Sequence, residues 1–571
     1  MADKYTMDDF ITDEFYPGYA PGFRHGLAGI DPVRPFAEED RSHFWMGEGH
    51  WPRGIVPLGL SCIEACAWGT QWAAQALQIP TGKGLAARMA ATHVYNSEVP
   101  VTSEWEKQSR AARAAEIFPA RIGGFQKEWT SFRDQLLEWL ERLEQWDLSK
   151  ADMKEIAQYY DEARSMQMWA WEQHFMFMYP LLANYFGLRG LCEQFGVDPD
   201  LVPQFLRGYE TKMIETDRKL TEQAEAARAA GLRHLFSEQM TVEILREQPQ
   251  AREWLTGFDH FLRVYGWRTE GMADPDLAPW TEDPTPALRL IAGILERGPK
   301  DFEAIREANE RDRNAAIATA RSSLTAAERG AFDAALAACQ AANFSWWNEE
   351  HDFYIDLRIH IPIRRMALAL GRLVNAAQAD DLIYLFEDEI LGILKGTVKF
   401  GDLAPLIPAR RAHRALWASR RADMPVVLGT IPEEVNDPVL KEIFGLGKDF
   451  FDIVRYGSDA TSELRGIAAS GGKFIGRARM ISHAEDLGQL LDGEILICEF
   501  TSPNWTPAFS RIGACVADQG GVLSHTAIVS REYRVPCVTG VALGTNIIRT
   551  GDRIEVDGDA GVVRILERAE A

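Results

Sequence analysis

The sequence predicts a multidomain chain of the α + α/β class, with a large, mainly α-helical domain followed by a compact α/β domain. Three observations predict it. Between Glu104 and Leu262 apolar residues recur at three- and four-residue steps, as in Trp129, Phe132, Leu136, Leu140 and Leu143, which is the stripe of an amphipathic helix. From Leu464 onward the pattern changes to short β-branched runs separated by Gly and Asp turns. The length of 571 residues is enough for two or more domains with cores of their own. The expected boundaries are a helical domain over 1–455, a linker over 456–463 overlapping the connection Gly445–Ser462, and an α/β domain over 464–571.

Taken in order, residues 1–40 are rich in Pro, Gly and Asp and read as an extended, irregular arm. The stretch His43–Ser61, dense in aromatics and prolines, reads as a loop that lines something. Helical spacing covers Ile63–Gln78, and Tyr95 falls in a short connection. The segment SMQMWAWEQHFMFMYPLLANYF, residues 165–186, is apolar nearly all round. Such a helix is buried as plain core or faces a ligand, and core is the preferred reading. Phe261–Pro284 reads as an irregular connection, after which helices resume through Ile305, Ala331 and Phe344. Trp346–Leu373 and Asp381–Leu394 read as helical, and Leu403–Pro438 as proline-bearing loops. The later runs GGKFIGRARMI, GEILICEF, GACVADQ, VPCVTGV and RIEVDGDAGVVRIL read as strands. The Asp557-Gly558-Asp559 triplet is a hairpin turn, because it lacks the spaced ligands of a calcium loop.

Composition excludes several classes. With 61 basic against 84 acidic residues the net charge is −23, which argues against nucleic acid or an anionic membrane as partner. No run approaches the ~18 apolar residues of a membrane helix, and the acidic N-terminus is neither a secretion signal nor a transit peptide. The seven cysteines form no CxxC pair, and Cys62 and Cys66, four apart on a helix, read as core packing. Reduced thiols and a cytoplasmic location are expected.

The most informative stretch is DQGGVLSHTAIVSREYRVPCVTG, Asp518–Gly540. A strand-like run, Ala514–Ala517, leads into Gly520-Gly521, where glycine permits backbone angles closed to other residues. Ser524 stands where an N-cap belongs, His525–Glu532 reads as the first turns of a helix, and Pro536 follows its end. His525 therefore projects from a helix N-terminus, where free N–H groups and the dipole favour negative charge. A neutral imidazole there is a nucleophile whose phosphorylated form its own helix would stabilise.

Those residues resemble the mobile, or swivelling, phosphohistidine domain of the phosphoenolpyruvate-utilising phosphotransferases, the family of phosphoenolpyruvate synthase, pyruvate phosphate dikinase and rifampin phosphotransferase. The matching positions are Gly520, Gly521, Ser524, His525, Thr526-Ala527, Ile528-Val529, Arg531-Glu532 and Pro536, with Thr526 where alanine is usual. Gly472–Ala478 resembles the opening hairpin, Gly493–Leu496 the buried strand, and Thr501, Ser502, Pro503 and Pro507 the loop beside the histidine. The resemblance implies that His525 carries a phosphoryl group and that Ser524, Gly521 and Thr501 support it.

The helical part resembles one branch of that family. Tyr265–Pro284 (YGWRTEGMADPDLAPWTEDP) resembles the family's Tyr-Gly-x-Arg segment followed by Trp-x-Glu-Asp-Pro, while WWNEEHDFYIDLRIHIPIRR with DDLIYLFEDEI resembles the acceptor domain of rifampin phosphotransferase and equally the histidine-bearing subunit of phenylphosphate synthase. No nucleotide-binding region is recognised in residues 1–460, and no barrel for phosphoenolpyruvate follows. The resemblance therefore implies a separate ATP-grasp subunit as partner, binding ATP with Mg2+, and no tightly bound cofactor or metal on this chain. In the acceptor half His351 and Arg358 lie seven residues apart, close to two helical turns, and are candidates for a base and a phosphoryl-stabilising cation. Arg268 is a second cation. Trp45 and Trp51 would wall an apolar pocket, and His50 and His174 are weaker candidates. The functional expectation is phosphoryl transfer from His525 to a small, phenol-like hydroxyl compound. The alternative is a phosphocarrier that relays phosphate to a protein.

Overall fold

Two 42-residue helices, Glu104–Gln145 and Met153–Gln194, form the frame of the first half. Ser103 caps the first by accepting from the Glu106 amide, and Asp152 with Glu155 closes a capping box on the second at 2.9 Å in both directions. The stripe of Phe125, Trp129, Phe132, Leu136, Leu140 and Leu143 is buried as its spacing predicts. The computed structural model describes residues 5–12, 15–19, 33–236, 240–269, 271–456 and 462–569.

The helical half also holds a five-stranded sheet, in the order β1-β3-β4-β2-β5. Its strands are β1 (Arg34–Pro35), β2 (Phe44–Gly47), β3 (Gly82–Ala90), β4 (His93–Pro100) and β5 (Val427–Gly429). This sheet corrects three expectations: Tyr95 lies in a strand, His43–Ser61 begins with one, and Leu403–Pro438 contains both β5 and the helix Ile407–Ala418. The physical reason is burial on both faces. Leu85, Ala87 and Met89 face the main core against the helix Leu60–Ala76, while Ala86 and Ala90 face a second cluster around Met7, Phe10, Trp45 and Trp417. A strand buried on both faces shows no polar–apolar alternation, and alanine adds little strand preference. The β3–β4 turn is made by Ala91 at φ +48°, without the Asn-Gly signal of a tight hairpin. In the expected N-terminal arm, Met7–Thr12 is a helix and Glu38–Ser42 a 3₁₀ turn, whereas 1–4, 13–14 and 20–32 lie outside the described residues.

The C-terminal domain is an eight-stranded mixed sheet in the order β6-β13-β12-β8-β9-β10-β11-β7. In chain order these are β6 (Glu463–Arg465), β7 (Ile467–Ser470), β8 (Lys473–Met480), β9 (Ile495–Cys498), β10 (Ala514–Ala517), β11 (Cys537–Thr539), β12 (Arg553–Asp557) and β13 (Val562–Glu567). The pairs β8–β9, β9–β10 and β10–β11 are parallel, so their connections must cross a face of the sheet. The helix His525–Tyr533 is the crossover between β10 and β11. It ends at Arg534 in the left-handed region, just before Pro536.

The two parts meet along main chain. The amides of Gly520, Gly521 and Leu523 donate to the carbonyls of Phe444, Ile443 and Glu442 at 2.9, 2.9 and 3.0 Å. Around that seam polar contacts (Gln519 to the Gly47 carbonyl, Glu532 to the Gly208 amide, Tyr533 to Asp217 and Arg534 to Asp312) alternate with apolar ones, among them Phe444 on Phe500, Phe302 on Tyr533, and Leu523 and Ile528 in the main core. The expected connection Gly445–Ser462 contains a helix, Lys448–Tyr456, that buries Phe450 and Phe451, and 457–461 of the linker lie outside the described residues.

A Cβ on Gly521 would stand 2.1 Å from the Glu442 carbonyl oxygen. Gly521→Ala should therefore weaken docking by about 1–3 kcal/mol, the usual cost of an overpacked contact, while each part stays folded. Hydrogen exchange at residues 520, 521 and 523 should accelerate roughly tenfold or more, and wild-type protection there would contradict the seam.

Candidate functional site

His525 opens its helix as predicted. Ser524 accepts from the Ala527 amide at 3.2 Å and donates to the Gly521 carbonyl at 2.9 Å, which fixes the turn that presents the imidazole. The ring is held on both sides. Thr501 Oγ1 lies 3.1 Å from Nδ1 and Thr506 Oγ1 lies 3.3 Å from Nε2. Burial, followed by the charges of His50, Arg268 and His351, pushes the His525 pKa down to about 3. The imidazole is neutral and keeps a lone pair for phosphorus.

His525 forms part of the wall of a cavity of about 110 Å³ between the two parts of the molecule. Trp171, His174, Phe175 and Met178 project into it from the helix Met153–Gln194 at steps of three, one and three residues, one helical face. Met176, Phe177, Leu181 and Leu182 are core, so the apolar 165–186 segment is divided: one face lines the cavity and the rest packs. The loop after β2 adds Glu48, His50 and Trp51, and Phe444 and Phe500 close the side next to the docking seam.

Two groups of polar side chains face this apolar space. In the first, His50 Nδ1 meets Glu48 Oε1 at 2.5 Å, and Glu48 also accepts from Asn96 at 2.7 Å. Burial would raise the Glu48 carboxyl, but His50 and Arg421 outweigh it and hold the group below the usual range. The carboxylate thus orients an imidazole in the cavity wall, the arrangement of an oriented base. In the second group, His351 donates from Nδ1 to the Trp347 carbonyl at 3.2 Å, and its Nε2 stands 3.3 Å from Asp352 Oδ1 and 3.5 Å from Asp356 Oδ2. His174 Nδ1 lies 3.9 Å from Asp356 Oδ1. Burial and the neighbouring Asp356 and Glu349 charges raise Asp352 well above the carboxylate range. Asp356 is held low, because His351 and His174 overcome its burial. Glu349, also raised well above the usual range chiefly by burial, lies 3.9 Å from His525 Nε2.

The structure brings together His525, Thr501, Ser524, Gly521, His351 and Trp51, and separates three other expected residues. Arg358 turns away from the cavity, binding Glu144 at 2.7 Å and lying over Trp267. The cause is a π-helical turn, Asp352–Asp356, closed by the Leu357 amide on the Asp352 carbonyl. A π turn inserts a residue and rotates everything after it, so the seven-residue spacing from His351 no longer marks one face. Trp45 lies in β2 with its ring under Arg88 and its indole N–H on the Asp40 carbonyl. Neighbours in a strand point to opposite faces, so Phe44 and Met46 face the main core and Trp45 the second cluster. Arg268 is fully buried, over the Trp280 ring and 3.3 Å from the Pro503 carbonyl, close enough to influence His525 but outside the cavity lining. Sequence reasoning missed Glu48, Glu349, Asp352 and Asp356 as site residues and ranked His50 and His174 low. The Glu48-x-His50 spacing and the acidic residues flanking His351 were the available signals.

Comparison with known proteins agrees with this architecture. Residues 490–561 match the PEP-utilising enzyme mobile domain, and residues 173–349 match the rifampicin phosphotransferase fourth domain. Chondramide synthase of Chondromyces crocatus is 27% identical over 92% of this chain and 14% of its own length. An uncharacterised phosphotransferase of Bacillus subtilis is 27% identical over 72% of this chain and 49% of its own, and rifampicin phosphotransferase of the same organism is 27% identical over 54% and 34%. The chain thus spans less than half the length of these relatives. No helix among the described residues is long and apolar enough to cross a membrane. In its 490–561 and 173–349 segments the chain is thus similar to PEP-utilising phosphotransferases, with a mobile domain preceded by a rifampicin phosphotransferase-type domain.

Proposed function

We propose that the chain carries a phosphoryl group on His525 Nε2 and transfers it, inside the cavity, to the hydroxyl of a small aromatic compound. The supporting observation is that the imidazole forms part of the wall of an apolar cavity whose other walls include Trp51, Trp171 and Phe175. At about 110 Å³ the docked cavity is of the order of the roughly 150 Å³ apolar void known to admit benzene, so it suits a single ring. A protein acceptor fits this arrangement poorly, because His525 is 5% exposed when docked.

In this reading Nδ1–H of His525 donates to Thr501, and Nε2 bears phosphorus. The P–N bond breaks, its electron pair returns to Nε2, and the acceptor oxygen forms the new P–O bond. The acceptor proton passes to His50 Nε2, whose Nδ1–H is held by Glu48. A phenol has a reference pKa near 10, as tyrosine does, so a base or a cation is needed near neutral pH. Glu349, kept neutral by burial, can donate to a phosphoryl oxygen. His50 takes the base role in place of His351, because both ring nitrogens of His351 already face neighbours. ATP and Mg2+ are assigned to an ATP-grasp subunit on another polypeptide, as the likeness to phenylphosphate synthase implies, in a reducing cytoplasm.

Phosphoramidate, a small chemical donor, tests the first half without a partner. Wild type should acquire acid-labile label and His525→Ala none; equal labelling of the variant would place the phosphohistidine elsewhere. Discharge of that label should be faster with phenols than with water or aliphatic alcohols of similar size, and indifference to phenols would remove the aromatic acceptor. His50→Ala should label normally yet discharge to phenol about 10²–10⁴ times more slowly, the usual span for a general base. Wild-type discharge would show that His50 takes no proton.

A further inference from the structure

The side chains around His351 pose a problem of unsatisfied lone pairs. With Nδ1–H given to the Trp347 carbonyl, His351 turns Nε2 toward two carboxylate oxygens, 3.3 and 3.5 Å away. His174 Nδ1 faces the same Asp356 carboxylate at 3.9 Å. Among the described residues, His174 Nδ1, Asp356 Oδ1 and Asp352 Oδ2 are buried with no hydrogen-bond partner, and all four residues are at most 4% exposed. Buried polar atoms left without a partner are costly.

We propose that His174 Nδ1, His351 Nε2 and a carboxylate oxygen of Asp356 bind a divalent transition-metal ion at the cavity wall. The three donor atoms lie within 4.8 Å of one another, and ligands about 2.0–2.2 Å from a shared ion stand at comparable separations. Two imidazoles and one carboxylate suit Zn2+ or Mn2+ better than Mg2+ or Ca2+, which take oxygen ligands. All three residues line the cavity, so the remaining coordination positions open toward it. The Asp352–Asp356 π turn places both carboxylates beside His351, a convergence that a continuous α-helix would not produce.

The role of the ion rests on the acceptor-site reading above. Bound to the acceptor oxygen it would lower the pKa of that hydroxyl, while the proton still goes to His50 and the P–N electron pair to His525. The existence of the site does not depend on that reading.

The test is metal binding by the full chain after treatment with a chelator. Calorimetric titration should show one equivalent of Zn2+ or Mn2+ bound at least a hundredfold more tightly than Mg2+. Co2+ should give a visible absorption band that Zn2+ displaces, a readout that needs no variant. His174→Ala and Asp356→Asn should each weaken binding tenfold or more, with unchanged thermal melting of the metal-free proteins as the control for folding. Absence of saturable Zn2+, Mn2+ and Co2+ binding in the wild type overturns the proposal, as does binding unaffected by both variants. If the ion binds but no phenol is phosphorylated, the acceptor reading fails and the metal site stands.

Discussion

Three main-chain hydrogen bonds, from Gly520, Gly521 and Leu523 to the carbonyls of residues 442–444, set where His525 can be when the two parts are docked. Side chains could yield by changing rotamer, whereas a backbone seam of this kind accepts little displacement. Gly521 approaches Glu442 so closely that no Cβ fits, and Gly520 takes a φ of +122°, in the region that favours glycine. The seam delivers the N-terminal turn of the His525–Tyr533 helix onto an apolar surface built mostly by the other part, with Phe500 and Pro503 added from its own domain. In that position His525 is almost completely buried.

Burial then dictates the protonation states. In a low-dielectric cavity the neutral form of each isolated group is favoured, which lowers His525 and raises Glu349 and Asp352. Groups with a partner behave differently. Glu48 beside His50 and Asp356 between two histidines stay below the usual carboxylate range although buried. One environment therefore supplies a nucleophile, a neutral acid and two oriented carboxylates, separated only by which neighbour each one meets.

The five-stranded sheet positions part of the cavity wall in the helical half. Strand β2 ends at Gly47, and the next four residues bring Glu48, His50 and Trp51 to the cavity. The Met153–Gln194 helix presents Trp171, His174, Phe175 and Met178 opposite them.

The sequence by itself determined the division into a helical part and an α/β part, the capped helix that presents His525, and the family to which that motif belongs. These are local properties: periodicity, an N-cap and a glycine pair act within a few residues. The tertiary structure alone decided which residues meet. The sheet was invisible because Ala86, Ala87 and Ala90 are buried on both faces and show no alternation. Arg358 left the site because a π turn, formed under tertiary packing, broke the helical register after His351. His50 and His174 gained importance only once Glu48, Asp356 and the cavity surrounded them. A histidine's chemistry depends on the partner of each ring nitrogen, and those partners come from distant parts of the chain.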